Sequence, residues 1–208
     1  MSGERGLDVE VYRLNDGTPV VIRPIRPEDR DELLRCFARL GPRSRIQRFL
    51  VPRAELTEAM VTYLTEVDGQ DHVALVAFTD SPDFKHDVGV GVARFIRLPG
   101  EDGVAEAAVT VVDDAQGKGL GKLLLAALTK EARKRGIKMF RAEVLVSNLA
   151  MRHILGEASA VVRDDDGETV VLDVPVGEDS SDGDSPVRRG LRAFVSWFSA
   201  LRDQLPPS

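Results

Sequence analysis

A glycine-rich turn at residues 116–121 separates two runs of opposite periodicity. The run before it ends in Val111-Val112 and is β-branched, whereas the run after it is amphipathic and stops at Gly136. This order predicts a strand, a tight turn and a helix. Free backbone N–H groups at a helix N-terminus attract anions, and glycines let a phosphate approach the backbone. The pattern by itself fits either a phosphate site or a tight turn without a ligand.

Two common phosphate motifs do not fit this turn. A P-loop requires a hydroxyl residue after its Gly-Lys pair, and here Gly121-Lys122 is followed by Leu123. A dinucleotide fingerprint requires Gly-x-Gly-x-x-Gly and an acidic residue at the end of the next strand. The spacing here is Gly-x-Gly-x-Gly, and that strand ends in residues 144–146, Val-Leu-Val. The turn therefore indicates neither a nucleoside triphosphatase nor a nicotinamide dinucleotide-binding protein.

The rest of the chain alternates strand-like and helix-like segments in a mixed α+β order. Strands are predicted as a pair within 9–27, around an Asn15-Asp16-Gly17 turn, and at 72–79, 88–98, 105–112, 138–146, 159–163 and 169–174. Helices are predicted at about 29–40 with Gly41-Pro42 as the stop, at 55–66, from the glycine-rich turn to 135, and at 148–155.

The glycine-rich turn matches the acyl-CoA-binding pattern Gln/Arg-x-x-Gly-x-Gly of the GNAT superfamily, with Gln116, Gly119 and Gly121 at the fixed positions. The resemblance covers residues 18–174. The runs IRPIRPEDRDELLRCFARLGPRSRIQRF and AEAAVTVVDDAQGKGLGKLLL are similar to the catalytic domain of bacterial Pat-type protein lysine acetyltransferases. The resemblance implies a GNAT fold, a twisted mixed sheet flanked by helices. It also implies transfer of acetyl from acetyl-CoA to an amine, with a protein lysine favoured.

The same resemblance implies a set of coenzyme-binding residues. Backbone groups of two strand residues would pair with the pantetheine arm, backbone amides of the turn would receive the pyrophosphate, and one asparagine would lie near the coenzyme. Lysines in the turn could add charge or could equally be solvated. The set is Val111, Val112, Gln116, Gly117, Lys118, Gly119, Leu120, Gly121, Lys122 and Asn148.

Glu106 is the candidate general base. A lysine amine has an unperturbed pKa of about 10.4, so it is protonated at neutral pH and needs a base before it can attack. Glu106 lies ten residues before Gln116 and matches the position of the Pat-type base, although an exposed strand carboxylate is the alternative from the residues alone. The superfamily's usual tyrosine after Asn148 is missing, and His153 is a weak substitute as general acid.

Composition excludes several other functions. A net charge of -6 argues against a nucleic-acid partner, which needs a basic surface. Three histidines and the single Cys36 show no ligand spacing, so no metal site is expected. The charged N-terminus lacks the apolar core of a signal peptide, and no apolar run is long enough to span a bilayer, so we expect a cytoplasmic protein without a membrane partner.

The chain divides by composition into three parts. Residues 1–176 form the expected acetyltransferase domain, residues 177–187 an acidic flexible linker, and residues 188–208 a C-terminal amphipathic helix. That helix is a candidate contact for a homodimer or another partner. Two further functions stay open: acetylation of a small amine such as a polyamine or amino acid, and acyl-CoA binding without catalysis, as a sensor or partner module.

Overall fold

The computed structural model describes residues 10–50, 55–80, 87–147 and 160–177. Its helices are α1 (Arg30–Ala38), α2 (Pro42–Phe49), α3 (Glu58–Thr65) and α4 (Leu120–Lys134), with short 3-10 turns at Pro27–Asp29 and Asp113–Ala115. Its strands are β1 (Glu10–Arg13), β2 (Pro19–Pro24), β3 (His72–Asp80), β4 (Asp87–Arg97), β5 (Val104–Val111), β6 (Met139–Leu145), β7 (Val161–Asp165) and β8 (Thr169–Pro175).

The eight strands form one mixed sheet in the order β1-β2-β3-β4-β5-β6-β8-β7. Every neighbouring pair is antiparallel except β5 and β6, which are parallel. The parallel pairing extends only from Val104 opposite Met139 to Glu106 opposite Arg141. Both strands continue beyond this point, so they separate and leave an opening in the middle of the sheet.

Alternation along β5 separates the two faces of the sheet. Ala105, Ala107, Val109 and Val111 belong to the main hydrophobic core, together with the buried leucines of α4. Side chains of successive strand residues point to opposite faces, so Glu106 and Thr110 lie on the other face, where α1, α2 and α3 contribute side chains around Thr110. Because alternate residues of β5 are buried in the core, Glu106 and Thr110 must lie on the opposite face of the sheet.

The predicted α+β architecture is confirmed, and the strands and helices predicted within the described residues are present with bounds shifted by at most three residues. One helix was missed: Gly41-Pro42 was predicted as a stop, whereas Pro42 is the first residue of α2. Proline is favoured at this position because its missing N–H would have no partner there. The predicted helix at 148–155 lies outside the described residues, as do the C-terminal helix and the linker beyond residue 177.

No helix within the described residues is both long and apolar enough to cross a membrane.

Candidate active site

Glu106 is the last β5 residue paired with β6, so it lies where the two strands begin to separate. Its Oε1 atom is buried, and none of the described residues donates a hydrogen bond to it. Burial raises the pKa of Glu106 to about 7, with the positive charge of Arg48 opposing the rise and the negative charge of Glu143 adding to it. A buried carboxylate with this proton affinity can accept a proton near neutral pH.

Arg48, from α2, places a charged guanidinium in the layer that covers Glu106. The residue is only 5% exposed, and burial lowers the pKa of Arg48 to about 10 while Glu106 acts against this shift. Arg94 on β4 lies close by and is also buried, and its pKa is lowered to about 9 by burial and by the charge of Arg48. Arg48 is therefore the buried cation that acts on Glu106, and Arg94 in turn interacts with Arg48.

Arg94 is held by a buried polar network. One guanidinium nitrogen lies 3.0 Å from Nε2 of His72, and the other donates to the carbonyl of Leu64 at 3.1 Å. Burial and the charge of Arg94 lower the pKa of His72 to about 3, so the imidazole is neutral at pH 7. The ring of Tyr63 lies 4.9 Å from that of His72. The network fixes Arg94 between α3 and the sheet.

Both arginines line a pocket on this face of the sheet. The space in the pocket, including its open mouth, is about 490 Å³. Apolar side chains from α1, α2 and α3 form most of its wall, and Thr110 and Val92 of the sheet form its floor. No carboxylate of the described residues lines this pocket. It is therefore an apolar recess with two arginine side chains in its wall.

The glycine-rich turn lies at the other end of β5. Gly117 and Gly119 have φ angles of +77° and +89°, values that residues with a Cβ rarely adopt, and Gly119 is the N-cap of α4. No acidic residue lies in the first turn of α4, and Gly119 caps it without a side-chain hydrogen bond. The exposed donors and the helix dipole suit an anion such as a pyrophosphate.

Gln116 ties the turn to its surroundings. Its side-chain Nε2 donates to the carbonyl of Val111 at 3.1 Å and lies 3.3 Å from both Ser44 Oγ and Asp113 Oδ1. These contacts link the end of β5, the 3-10 turn and α2. Gln116 therefore shapes the turn through its side chain.

Val111 and Val112 differ in the backbone groups they offer. Val112 donates its N–H to the carbonyl of Val90 and accepts from the N–H of Ala115, so both of its groups are used within the fold. Successive strand residues direct their N–H groups to opposite edges, so the N–H of Val111 points to the edge where β6 has separated. Val111 is the better placed of the two to pair with an extended ligand in the opening.

The two predicted lysines also differ. Lys118 Nζ lies 3.1 Å from Asp16 Oδ2 in the turn between β1 and β2. Lys122 lies in the first turn of α4, and its N–H donates to the carbonyl of Gly119. Leu120 and Gly121 complete that first turn.

Asn148 and His153 lie outside the described residues. Among the residues that the structure does describe, no three His, Cys, Asp or Glu side chains are grouped so as to hold a metal ion.

The sequence did not point to Arg48, Arg94 or His72 as part of this site. Arg48 is one of several arginines in a charged segment, and solvated arginines are the rule in such segments. Its burial depends on how α2 lies on the sheet. A buried arginine leaves no periodic signal of its own.

Comparison with known proteins gives concordant results. A model of the acetyltransferase (GNAT) family matches residues 31–157. An acetyltransferase of Pseudomonas aeruginosa is 35% identical over 163 residues, which cover 78% of this chain and 86% of that protein. The acetyltransferase Pat of Mycolicibacterium smegmatis is 36% identical over 158 residues, 74% of this chain but only 45% of that longer protein.

A solved structure, the GNAT domain of S. lividans PAT, superposes with a TM-score of 0.71 at 28% identity. The superposition covers 80% of this chain and 96% of that domain. The similarity therefore extends over nearly the whole of that GNAT domain.

Proposed function

Because the chain belongs to the acetyltransferase (GNAT) family, we propose that it transfers acetyl from acetyl-CoA to a protein lysine, with Glu106 as general base. The acetyltransferase activity and the use of acetyl-CoA follow from the family. The choice of acceptor and the role of Glu106 are the proposal. Its main support is the buried oxygen of Glu106, which has no hydrogen-bond donor among the described residues and lies at the separation of β5 and β6.

Glu106 suits the proton transfer that amide formation requires. The attacking amine must lose its proton, and a base with a pKa of about 7 is half ionised at neutral pH and accepts that proton directly or through one water. A glutamate at its ordinary pKa of 4.5 would be ionised more fully but would be a much weaker base. Burial therefore makes the Glu106 carboxylate a stronger base, while about half of the molecules still carry it in the ionised form at pH 7.

The turn at 116–122 would hold the coenzyme. Backbone N–H groups at the start of α4 would receive the pyrophosphate, and the N–H of Val111 would pair with the pantetheine arm. Glu106 and Val111 are five residues apart on β5, a separation of roughly 17 Å along an extended strand. An extended arm running along the opening would thus bring the thioester towards the carboxylate. When bound, the coenzyme supplies the activated acetyl group.

One observation favours a protein lysine over a polyamine. The relative from Mycolicibacterium smegmatis is named acetyltransferase Pat, a type to which the sequence is similar, although this chain spans less than half of that protein.

The test is thiol release from acetyl-CoA over a panel of lysine-containing proteins, spermidine and free amino acids. Glu106→Gln should lower kcat by about 10²–10⁴-fold while leaving the affinity for CoA unchanged. Glu143→Gln is the matched control, because it removes a neighbouring carboxylate that affects the pKa of Glu106 but accepts no proton in the proposed reaction. Equal losses in both variants, or faster turnover of spermidine than of any protein, would contradict the proposal.

A further inference from the structure

The turn between β1 and β2 contacts the glycine-rich turn at three points. The backbone N–H of Asn15 donates to the carbonyl of Lys118 at 2.9 Å. The carboxylate of Asp16 lies 3.1 Å from Lys118 Nζ. The side-chain amide of Asn15 covers Gly119, with Oδ1 only 3.1 Å from the position that a Cβ would occupy there. Residues far apart in sequence thus meet at the start of α4.

These contacts restrict a segment that its glycines would otherwise leave free. A chain with glycines at 117, 119 and 121 has many backbone conformations, and ordering it around a ligand costs conformational entropy. A segment already held in its binding conformation avoids that cost. The contacts with the β1–β2 turn therefore lower the entropy that Lys118 and Gly119 would lose on binding a ligand.

The hydrogen bond from Asn15 also sets the orientation of the peptide group between Lys118 and Gly119. In a trans peptide the carbonyl of one residue and the N–H of the next point to opposite sides. Because Asn15 holds the carbonyl of Lys118, the N–H of Gly119 points away from the β1–β2 turn. Asp16 meanwhile draws the ammonium of Lys118 towards that turn.

We propose that the β1–β2 turn is a positioning element of the coenzyme site. It holds the Lys118–Gly119 peptide with the Gly119 N–H directed at the pyrophosphate. The side chain of Lys118 holds the two turns together through its ion pair with Asp16 and does not contact the phosphates. Asn15 and Asp16 thereby act on coenzyme binding through the glycine-rich turn.

The first test places a negative charge beside the turn without changing its shape. Asn15→Asp is isosteric, and Asn15 is exposed. A carboxylate this close to the bound phosphates should raise the Kd for CoA at least about tenfold at low salt, and the effect should shrink as salt is added. Calorimetric titration with CoA measures this without any acceptor.

Gln70→Glu is the control for this charge change. Gln70 is exposed and lies just before β3, at the opposite end of the sheet from the β1–β2 turn, since Val21 of β2 pairs with Phe78 near the far end of β3. Gln70→Glu should leave the Kd for CoA unchanged. Equal effects of Asn15→Asp and Gln70→Glu would overturn the proposal.

The second test is a double-mutant cycle on Asp16→Asn and Lys118→Met. Each should weaken CoA binding about three- to tenfold, and the double variant should be no weaker than either single variant, since both break one contact. Tighter binding in Asp16→Asn would show that Lys118 contacts phosphate once released. That result, or additive effects, would overturn the proposal.

Asp166→Asn is the matched control for the cycle. Asp16 Oδ1 accepts the N–H of Thr18 at 3.0 Å, and Asp166 Oδ1 accepts the N–H of Glu168 at 2.9 Å in the β7–β8 turn. The two aspartates make the same kind of local turn. Only the change at Asp16 should alter the affinity for CoA. Because no acceptor is used, this outcome is independent of whether the acceptor is a protein lysine.

Discussion

Glu106 brings stability and activity into conflict within one residue. Its folded-state pKa of about 7 exceeds its ordinary value of 4.5, so between these pH values the folded protein holds a proton that the unfolded chain has released. Stability therefore falls as the pH rises from 4.5 to 7, and the deficit remains above pH 7. The same burial that makes Glu106 a stronger base makes its ionised form costly in the folded protein.

The first prediction is that Glu106→Gln stabilises the protein while reducing turnover. The neutral amide removes the ionisation deficit, so the free energy of unfolding at pH 8 should rise by about 2–3 kcal/mol relative to the wild type. At pH 4 the two proteins should be nearly equal. Urea unfolding at both pH values measures the difference. A gain of equal size at pH 4 would mean that packing, rather than charge, is responsible.

The second prediction concerns Arg48. Its positive charge lowers the pKa of Glu106, so Arg48→Met should raise that pKa further. The rising limb of kcat/KM against pH, expected near pH 7, should move up by about one unit. Arg48→Lys keeps the charge and should leave the limb near its original position. A limb that moves equally in both variants would show that the change arises from altered packing.

At the scale of elements, periodic segments were predictable and the contacts between them were not. The Gly136 stop after α4 follows from a local sequence signal and is observed. Helix α3 was predicted from residue 55, but it begins at Glu58 because Thr57 is its N-cap. Helix α2 was missed because a charged segment after Gly41-Pro42 carries few apolar residues to mark a periodicity. Its stability comes from tertiary contacts, including buried Arg48 and Phe49.

The third prediction separates backbone strain from steric contact in the glycine-rich turn. Gly117 and Gly119 both have positive φ, so alanine at either position should cost about 1 kcal/mol. No heavy atom outside its own chain neighbours lies within 4 Å of a Cβ at Gly117, whereas the Asn15 amide lies 3.1–3.2 Å from one at Gly119. Gly119→Ala should therefore be the more destabilising change and the more harmful to CoA binding.

Urea unfolding and CoA titration of the two alanine variants test this order. Adding Asn15→Gly to Gly119→Ala removes the contact and should bring the double variant close to Gly117→Ala. If Gly117→Ala is as harmful as Gly119→Ala, the contact with Asn15 has no energetic effect.

At the scale of the whole molecule, local pattern pointed to Glu106 and the glycine-rich turn as candidates but not to how distant segments meet around them. The position of Glu106 on a strand leading to a glycine-rich turn was readable from local pattern. The separation of β5 from β6 after Glu106 depends on pairing between segments that are distant in the chain. The same is true of the buried pair Arg48 and Arg94, since long-range packing decides which arginines leave the solvent.

The buried polar groups on this side of the sheet also give the molecule opposing responses to pH. Glu106 favours folding as the pH falls, whereas His72 opposes it. The pKa of His72 falls from 6.5 to about 3 through burial and the charge of Arg94, against a smaller opposing effect of Asp68. Between pH 3 and pH 6.5, His72 is protonated in the unfolded chain but neutral in the folded protein. Stability from this group is therefore lost as the pH falls below about 6.5.

The fourth prediction follows from this difference. His72→Gln removes the titration but keeps a side-chain oxygen that can accept from Arg94, so any fixed cost of the substitution is the same at every pH. The stability of the wild type relative to His72→Gln should fall by about 2–3 kcal/mol between pH 7 and pH 4.5. Urea unfolding of both proteins across this range measures it, and Glu106 cancels because both contain it. A constant difference would show that the imidazole can be protonated within the fold, and that Arg94 tolerates a second cation beside it.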